Sequence, residues 1–236
     1  VGCVVVSGMR SGIIGGALLA ESDYHLLKRR LPALDLRQSY AQTETSPCVT
    51  LMNADDPEDK KAQTVGRVIP GVEVRIWDKE RERPVCAGGI GEIQVRGDNV
   101  MKGYYRMEEE TRAVISEDGW LKTGDLGTRD ETGVVMVAGR GKELIIRAGE
   151  NIMPGEIEQL IRLFPGIRDV KVIGIPAQVV QEEIAACLIL EDNSTYSEKE
   201  LRLFLQSQLA HYKVPVYFLC FSGFPLTACG KIALTE

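Results

Sequence analysis

The chain has 236 residues, 28 of them basic and 34 acidic, for a formal charge of −6; 44% of residues are apolar and 26% charged. That balance is ordinary for one large or two smaller globular domains, and it excludes a disordered tail, a collagen-like chain and a small disulfide scaffold. Mild net acidity argues against a general nucleic-acid binder, which needs a basic face for phosphate, and no stretch of 18 uncharged apolar residues offers a transmembrane helix.

The chain opens on Val1 rather than Met, and residues 1–6 (VGCVVV) read as the interior of a domain. The expectation is a piece of a longer protein, with any targeting signal upstream. The six cysteines, at positions 3, 48, 86, 187, 220 and 229, form no CxxC pair, and only His25 and His211 accompany them. Zinc is therefore not supported, and buried free thiols in a reducing compartment are expected.

In chain order, Tyr24, Leu27 and Leu31 predict a helix over 22–31. Segment 72–77 (VEVRIW) alternates apolar and polar residues and predicts a half-buried strand, as do 91–96 (GEIQVR) and 134–137. Turn signals between them (Pro70-Gly71, Gly88-Gly89, Asp118-Gly119, Thr132-Gly133) predict a β-rich subdomain over about 65–138. Beyond Gly139 the pattern changes. Pro154 opens a helix on which Ile157, Leu160, Ile161 and Phe164 share a face. Strands follow at 170–175 and 184–190. Ser197 and Glu200 form a capping box before Leu201, Phe204, Leu205 and Leu209, and 216–221 is a last strand. The expected fold class is mixed α/β, with a boundary near 138–142.

Two lysines follow glycine, Lys142 and Lys231, but Glu143 and Ile232 stand where a Walker loop needs Ser or Thr for magnesium. Alone, each is a solvated surface lysine. An Asp after Gly, as at Gly124-Asp125, is ordinarily a turn residue, and so is an Arg after Gly, as at Arg140. Residues 40–44 (YAQTE) are polar and uninformative by themselves.

The linear order of these segments carries more. Ile14-Gly15-Gly16-Ala17, 40–44 (YAQTE), 91–105 (GEIQVRGDNVMKGYY), 119–127 (GWLKTGDLG), 139–158 (GRGKELIIRAGENIMPGEIE) and 225–232 (PLTACGKI) resemble, in order and spacing, the adenylate-forming superfamily of acyl-CoA synthetases, luciferase-like enzymes and peptide-synthetase adenylation domains. The wording of 145–152 (IIRAGENI) and 210–215 (AHYKVP) is most similar to medium-chain fatty acyl-CoA synthetases. Two departures stand out. Ala41 replaces the family's usual Gly, and the Gly/Ser/Thr-rich phosphate loop, which in the family lies upstream, is not in this chain.

The resemblance implies that residues 1–140 are the C-terminal part of a large nucleotide- and acyl-binding domain and 141–236 a small mobile C-terminal domain. It implies an AMP-forming ligase that joins a carboxylic acid to ATP as an acyl-adenylate and passes the acyl group to CoA. Glu44 would hold Mg²⁺ and Thr43 would donate to the α-phosphate. Tyr40 would lie against adenine, opposite Gly16 and Ala17. Asp125 would accept from the ribose hydroxyls, with Arg140 on ribose or phosphate. Lys231 would bridge the carboxylate and α-phosphate, and Lys142 would be the hinge. Gly149, Glu150 and Asn151 would face the CoA channel, although Gly149 also reads simply as a turn residue with positive φ. Cytoplasm and mitochondrial matrix both fit. Loading of a carrier-protein thiol and a non-catalytic binding fragment stay open as alternatives.

Overall fold

Val74 and Ile76 are buried on one face of the alternating 72–78 segment while Glu73 is exposed on the other, and the same half-buried pattern recurs along the central strands. In the computed structural model, residues 8–17, 19–226 and 232 are described. The chain divides into two units, Val1–Lys142 and Glu143–Glu236.

The first unit is built on β1 (Ser11–Ile14), β2 (Asp35–Tyr40), β3 (Thr50–Leu51), β4 (Gly66–Val68), β5 (Val72–Asp78), β6 (Arg83–Pro84), β7 (Gly91–Gly97), β8 (Leu121–Arg129) and β9 (Val134–Arg140). They form one sheet in the order β1-β2-β3-β4-β9-β8-β7-β5-β6. Among the described residues of this unit the β1–β2 pair is parallel and the other pairs are antiparallel.

Helix α1 (Glu21–Arg30) starts with Glu21 and Asp23 and ends with Lys28, Arg29 and Arg30, the charge order its dipole favours. Its buried Tyr24 packs with Leu34, Leu36 and Ala62 of the short helix α2 (Glu58–Gln63). A short helix α3 (Glu108–Val114) precedes β8. A second core joins Tyr40, Val49, Val65, Val74, Ile76, Ile93, Val95 and Val135. On the β5 and β7 side, Arg75 stacks between Trp77 (4.0 Å) and Trp120 (4.2 Å), and Arg96 covers Trp120 at 4.7 Å.

The second unit has β10 (Ile145–Arg147), β11 (Glu150–Ile152), α4 (Pro154–Arg162), β12 (Ile167–Ala177), β13 (Gln181–Leu190), α5 (Glu198–Gln208) and β14 (Tyr217–Cys220). The sheet order is β11-β10-β13-β12, with β14 pairing parallel to β13. Ile157 and Ile161 of α4 and Leu201 and Leu205 of α5 bury against Val170, Val172, Ile184, Ala186 and Leu188.

Several sequence expectations need correction. Helix α4 stops at Arg162, so Phe164 lies past it; a tight turn (Phe164 N–H to Ile161 O, 3.0 Å) still brings its ring to Phe204, 5.9 Å between centroids. Ser197 caps α5 by accepting from Glu200 N–H at 3.3 Å, and among the described residues this is the one arm of the capping box formed. The four described cysteines are free thiols, but only Cys187 is buried. Cys86 sits in the loop after β6, and Cys220 is on the exposed β14, so both meet solvent. The β10–β11 hairpin was not expected at all.

Candidate functional site

Strands β1 and β2 run parallel in the register Ile14↔Gln38. Gly16 and Tyr40 each lie two residues beyond that pair, so they emerge level with one another at the carboxyl ends of parallel strands. Such ends are where ligands dock on α/β sheets. Gly15 is pressed against β2: a Cβ there would lie 2.9 Å from Ser39 O. Gly16, at φ +86°, has nothing within 4 Å of a notional Cβ, so its face is open, and Ala17 beside it is exposed.

A bulge delivers the acid. Gln94 pairs with Lys122 but Glu92 pairs with Leu126, so two extra residues of β8 are accommodated between those pairs. Bulges re-aim side chains in this way. Thr123 Oγ1 donates to Ile93 O at 2.6 Å and accepts from Asp125 N–H at 3.1 Å. Gly124 takes φ +72°, with its N–H reaching the buried Glu92 carboxylate at 3.3 Å.

Asp125 is buried and its two oxygens have different company. Oδ2 accepts from Tyr40 Oη (2.8 Å) and from Gln42 Nε2 (2.6 Å). Oδ1 faces Arg140 Nε at 3.2 Å, across the β8–β9 pair Asp125↔Arg140. The Asp125 side chain is 8% exposed and that of Arg140 60%. Burial, then the Asp125 charge, push the Tyr40 phenol far above its ordinary value, so it stays a proton donor to Asp125. A carboxylate has about four lone-pair positions. With three engaged, a vicinal diol gains full access to Asp125 only if the exposed Arg140 swings aside or shares Oδ1.

Gln42 is the residue the sequence reading passed over. Besides Asp125 it donates to Thr123 O at 3.0 Å, and its backbone N–H and C=O both bond Thr45 Oγ1, at 2.9 and 3.0 Å. It therefore ties the 3-10 turn Thr43–Thr45 to the β8 bulge. Its position inside the 40–44 segment was the only sequence signal. Thr43 is exposed at the start of that turn, and Glu44 is partly buried with Oε1 accepting from Tyr104 Oη at 2.9 Å.

Among the described residues no group of three or more His, Cys, Asp or Glu could hold a metal ion. Glu44 nevertheless fits magnesium, a hard cation that takes one or two protein carboxylates and fills the rest of its shell with water and phosphate oxygens.

Lys142 is exposed at the end of the first unit, in the 3-10 turn Gly141–Glu143. Gly149 is the second turn residue of the β10–β11 hairpin, at φ +83° after Ala148 at +52°, and Glu150 and Asn151 are exposed on β11, paired with Arg147 and Ile146. Lys231 falls outside the described residues.

The AMP-binding enzyme family model matches residues 5–105, and the model of the AMP-binding enzyme C-terminal domain matches 156–231. The chain belongs to the AMP-binding enzyme family, the adenylate-forming superfamily. It is 38% identical over 227 residues to YngI of Bacillus subtilis (strain 168), covering 96% of this chain and 41% of YngI. It is 34% identical over 227 residues to the mitochondrial medium-chain acyl-CoA ligase ACSF2 of Homo sapiens, covering 96% of this chain and 37% of that protein. Among solved structures, ATP-bound MatB from Rhodopseudomonas palustris superposes with a TM-score of 0.86 at 34% identity, over 93% of this chain and 43% of MatB. The o-succinylbenzoate CoA synthetase MenE of Bacillus subtilis, in complex with its acyl-adenylate, gives 0.87 at 29% identity, over 97% of this chain and 46% of MenE. The chain thus spans about two fifths of the length of these curated relatives.

Proposed function

We propose that the whole protein is an AMP-forming acid–CoA ligase that activates a fatty acid of medium chain length. The carrying observation is the bulge-directed cluster of Asp125, Tyr40, Gln42 and Arg140 at the carboxyl end of β2, in a chain whose relatives include medium-chain acyl-CoA ligases.

In this reading the adenine lies between Tyr40 and the open Gly16-Ala17 face. Asp125 takes the ribose hydroxyls, held in place by Tyr40 and Gln42, while Arg140 moves from Oδ1 toward ribose or phosphate. Thr43 donates its hydroxyl to the α-phosphate. Magnesium, when bound, would be held by Glu44 and would neutralise phosphate charge. The carboxylate oxygen attacks the α-phosphorus and the bond to the β-phosphate breaks, giving acyl-adenylate and pyrophosphate; this brings two anions together, so a further cation is required at the reacting oxygens. Lys231 fills that role as a mobile ammonium with three donors. The thiol of CoA then attacks the acyl carbonyl, releasing AMP. Lys142 is the pivot between the steps, and Gly149, Glu150 and Asn151 border the CoA path. Cytoplasm and mitochondrial matrix both suit such an enzyme, and among the described residues no helix is long and apolar enough to cross a membrane.

The test incubates the complete protein with ATP, Mg²⁺, CoA and fatty acids of graded length, and follows products by mass spectrometry beside a Lys231→Ala control. Acyl-CoA peaking at medium length and lost in the control is the expected result. Acyl-adenylate without thioester would move the acceptor to another thiol, such as a carrier protein. Neither product would return the chain to a non-catalytic module.

A further inference from the structure

Segment 97–107 carries part of the family resemblance but has no role in the reaction described so far. It is laced to the 3-10 turn that bears Thr43 and Glu44. Met101 N–H donates to Glu44 O at 2.8 Å, and Asn99 Nδ2 donates to both Thr45 O and Cys48 O at 3.0 Å. Gly103 is held at φ +149° with no room for a side chain, since a Cβ would fall 2.7 Å from Thr111 Cγ2. The next residue, Tyr104, is fixed by its N–H to Thr111 Oγ1 at 2.9 Å. From that anchor its phenol donates to Glu44 Oε1 at 2.9 Å.

A glutamate has three rotatable torsions and, unrestrained, samples several rotamers, whereas magnesium demands near-ideal octahedral geometry at about 2.0–2.1 Å. Pinning one oxygen narrows the rotamers the carboxylate can adopt and leaves Oε2 for another partner. We infer that Tyr104 is a positioning residue for the Glu44 carboxylate: its phenol pins Oε1 so that Oε2 is presented to the cation accompanying ATP. This rests on the reading of Glu44 as the magnesium ligand. A tyrosine phenol ordinarily titrates near 10, so at neutral pH it is protonated and can donate this bond. Phenylalanine at 104 would keep the ring and the Gly103–Thr111 packing and lose only the donor.

The experiment is calorimetric titration of ATP into the complete protein over a series of Mg²⁺ concentrations, for wild type, Tyr104→Phe and Glu44→Gln, with melting temperatures measured alongside. Tyr104→Phe is expected to raise the Mg²⁺ concentration for half-maximal ATP binding roughly tenfold, the order of a hydrogen bond to a charged group. Its ATP affinity at saturating Mg²⁺ and its melting temperature should stay near wild type, and Glu44→Gln should raise the Mg²⁺ requirement at least as far. If Glu44→Gln shifts the requirement and Tyr104→Phe does not, the positioning role is wrong and the metal reading stands. If Tyr104→Phe weakens ATP binding equally at every Mg²⁺ concentration, Tyr104 is a packing residue and the inference is overturned. An unchanged requirement in Glu44→Gln would remove the metal reading and the inference with it.

Discussion

Tyr40 and Asp125 are 85 residues apart in sequence and lie on strands with three others between them, yet their side chains meet at 2.8 Å. Flat strands spaced about 4.8 Å apart would hold β2 and β8 nearly 20 Å from one another, beyond the reach of a tyrosine and an aspartate together. The sheet must therefore curl sharply here, and the intervening β3 and β4, two and three residues long, let it do so. The curl converts separate strand ends into one site. Tyr40→Phe removes the bond from a buried carboxylate and should cost about 1–3 kcal/mol of stability. ATP affinity should fall as Asp125 loses one of its two side-chain donors on Oδ2. Chemical denaturation and ATP titration of the variant check both.

Asp125 and Arg140 form an ion pair, but their removal should have unlike consequences. Arg140 is mostly in solvent, and an exposed ion pair contributes about 0–1 kcal/mol. Arg140→Ala should thus leave the melting temperature almost unchanged while raising the KM for ATP. Asp125→Ala strands the buried Tyr40 hydroxyl and the Gln42 amide, each loss costing about 1–3 kcal/mol. Equal melting temperatures for the two variants would contradict the burial-based account.

How much of this was legible in the sequence depends on range. β5 announced itself because Val72, Val74 and Ile76 alternate with Glu73, Arg75 and Trp77, and α4 because Pro154 starts it and Ile157 and Ile161 recur on one face. The β10–β11 hairpin was missed because three-residue strands carry too little alternation and Ala148-Gly149 is not an Asn-Gly turn signal. Candidate site residues came from resemblance, not from pattern. What resemblance lacked was the bonding between them: Gln42 bridging to Asp125, and Tyr104 reaching Glu44, are contacts over 83 and 60 residues that only the curled sheet creates.

That hairpin offers a test read from stability alone, whatever its part in the CoA path. Ala148 and Gly149 both have positive φ, at 52° and 83°, as a two-residue primed turn requires. An alanine in the left-handed region costs about 1–2 kcal/mol. Ala148→Gly should stabilise the protein by up to about 1 kcal/mol after the entropy of the freer unfolded chain is offset. Gly149→Ala should destabilise it by a similar amount, although no neighbour crowds the position.

Asp35 should contribute to acid sensitivity. Hydrogen bonds from Lys61 (2.9 Å) and then Arg37 hold its carboxyl below the ordinary value. A depressed native pKa means stability that is present above the unfolded-state value, near 3.9, and is lost as pH falls through the native value. Asp35→Asn should flatten the stability curve below about pH 4. At neutral pH it should also cost about 1–3 kcal/mol, by weakening the closest bond to the Lys61 ammonium. Lys61 is only 4% exposed and otherwise has Ala54 O at 2.7 Å and the Glu58 carboxylate at 4.0 Å. Lys61→Met should be milder, since Asp35 keeps Arg37; urea melts across pH 3–7 discriminate the two.

The proposed reaction adenylates a carboxylic acid before any thiol is engaged. The direct measurement is exchange of labelled pyrophosphate into ATP by the complete protein, with Mg²⁺ and a medium-chain fatty acid but without CoA. Exchange should require the fatty acid, fall sharply in Asp125→Ala and vanish in Lys231→Ala. Exchange that needs CoA, or none with any carboxylic acid tried, would contradict it.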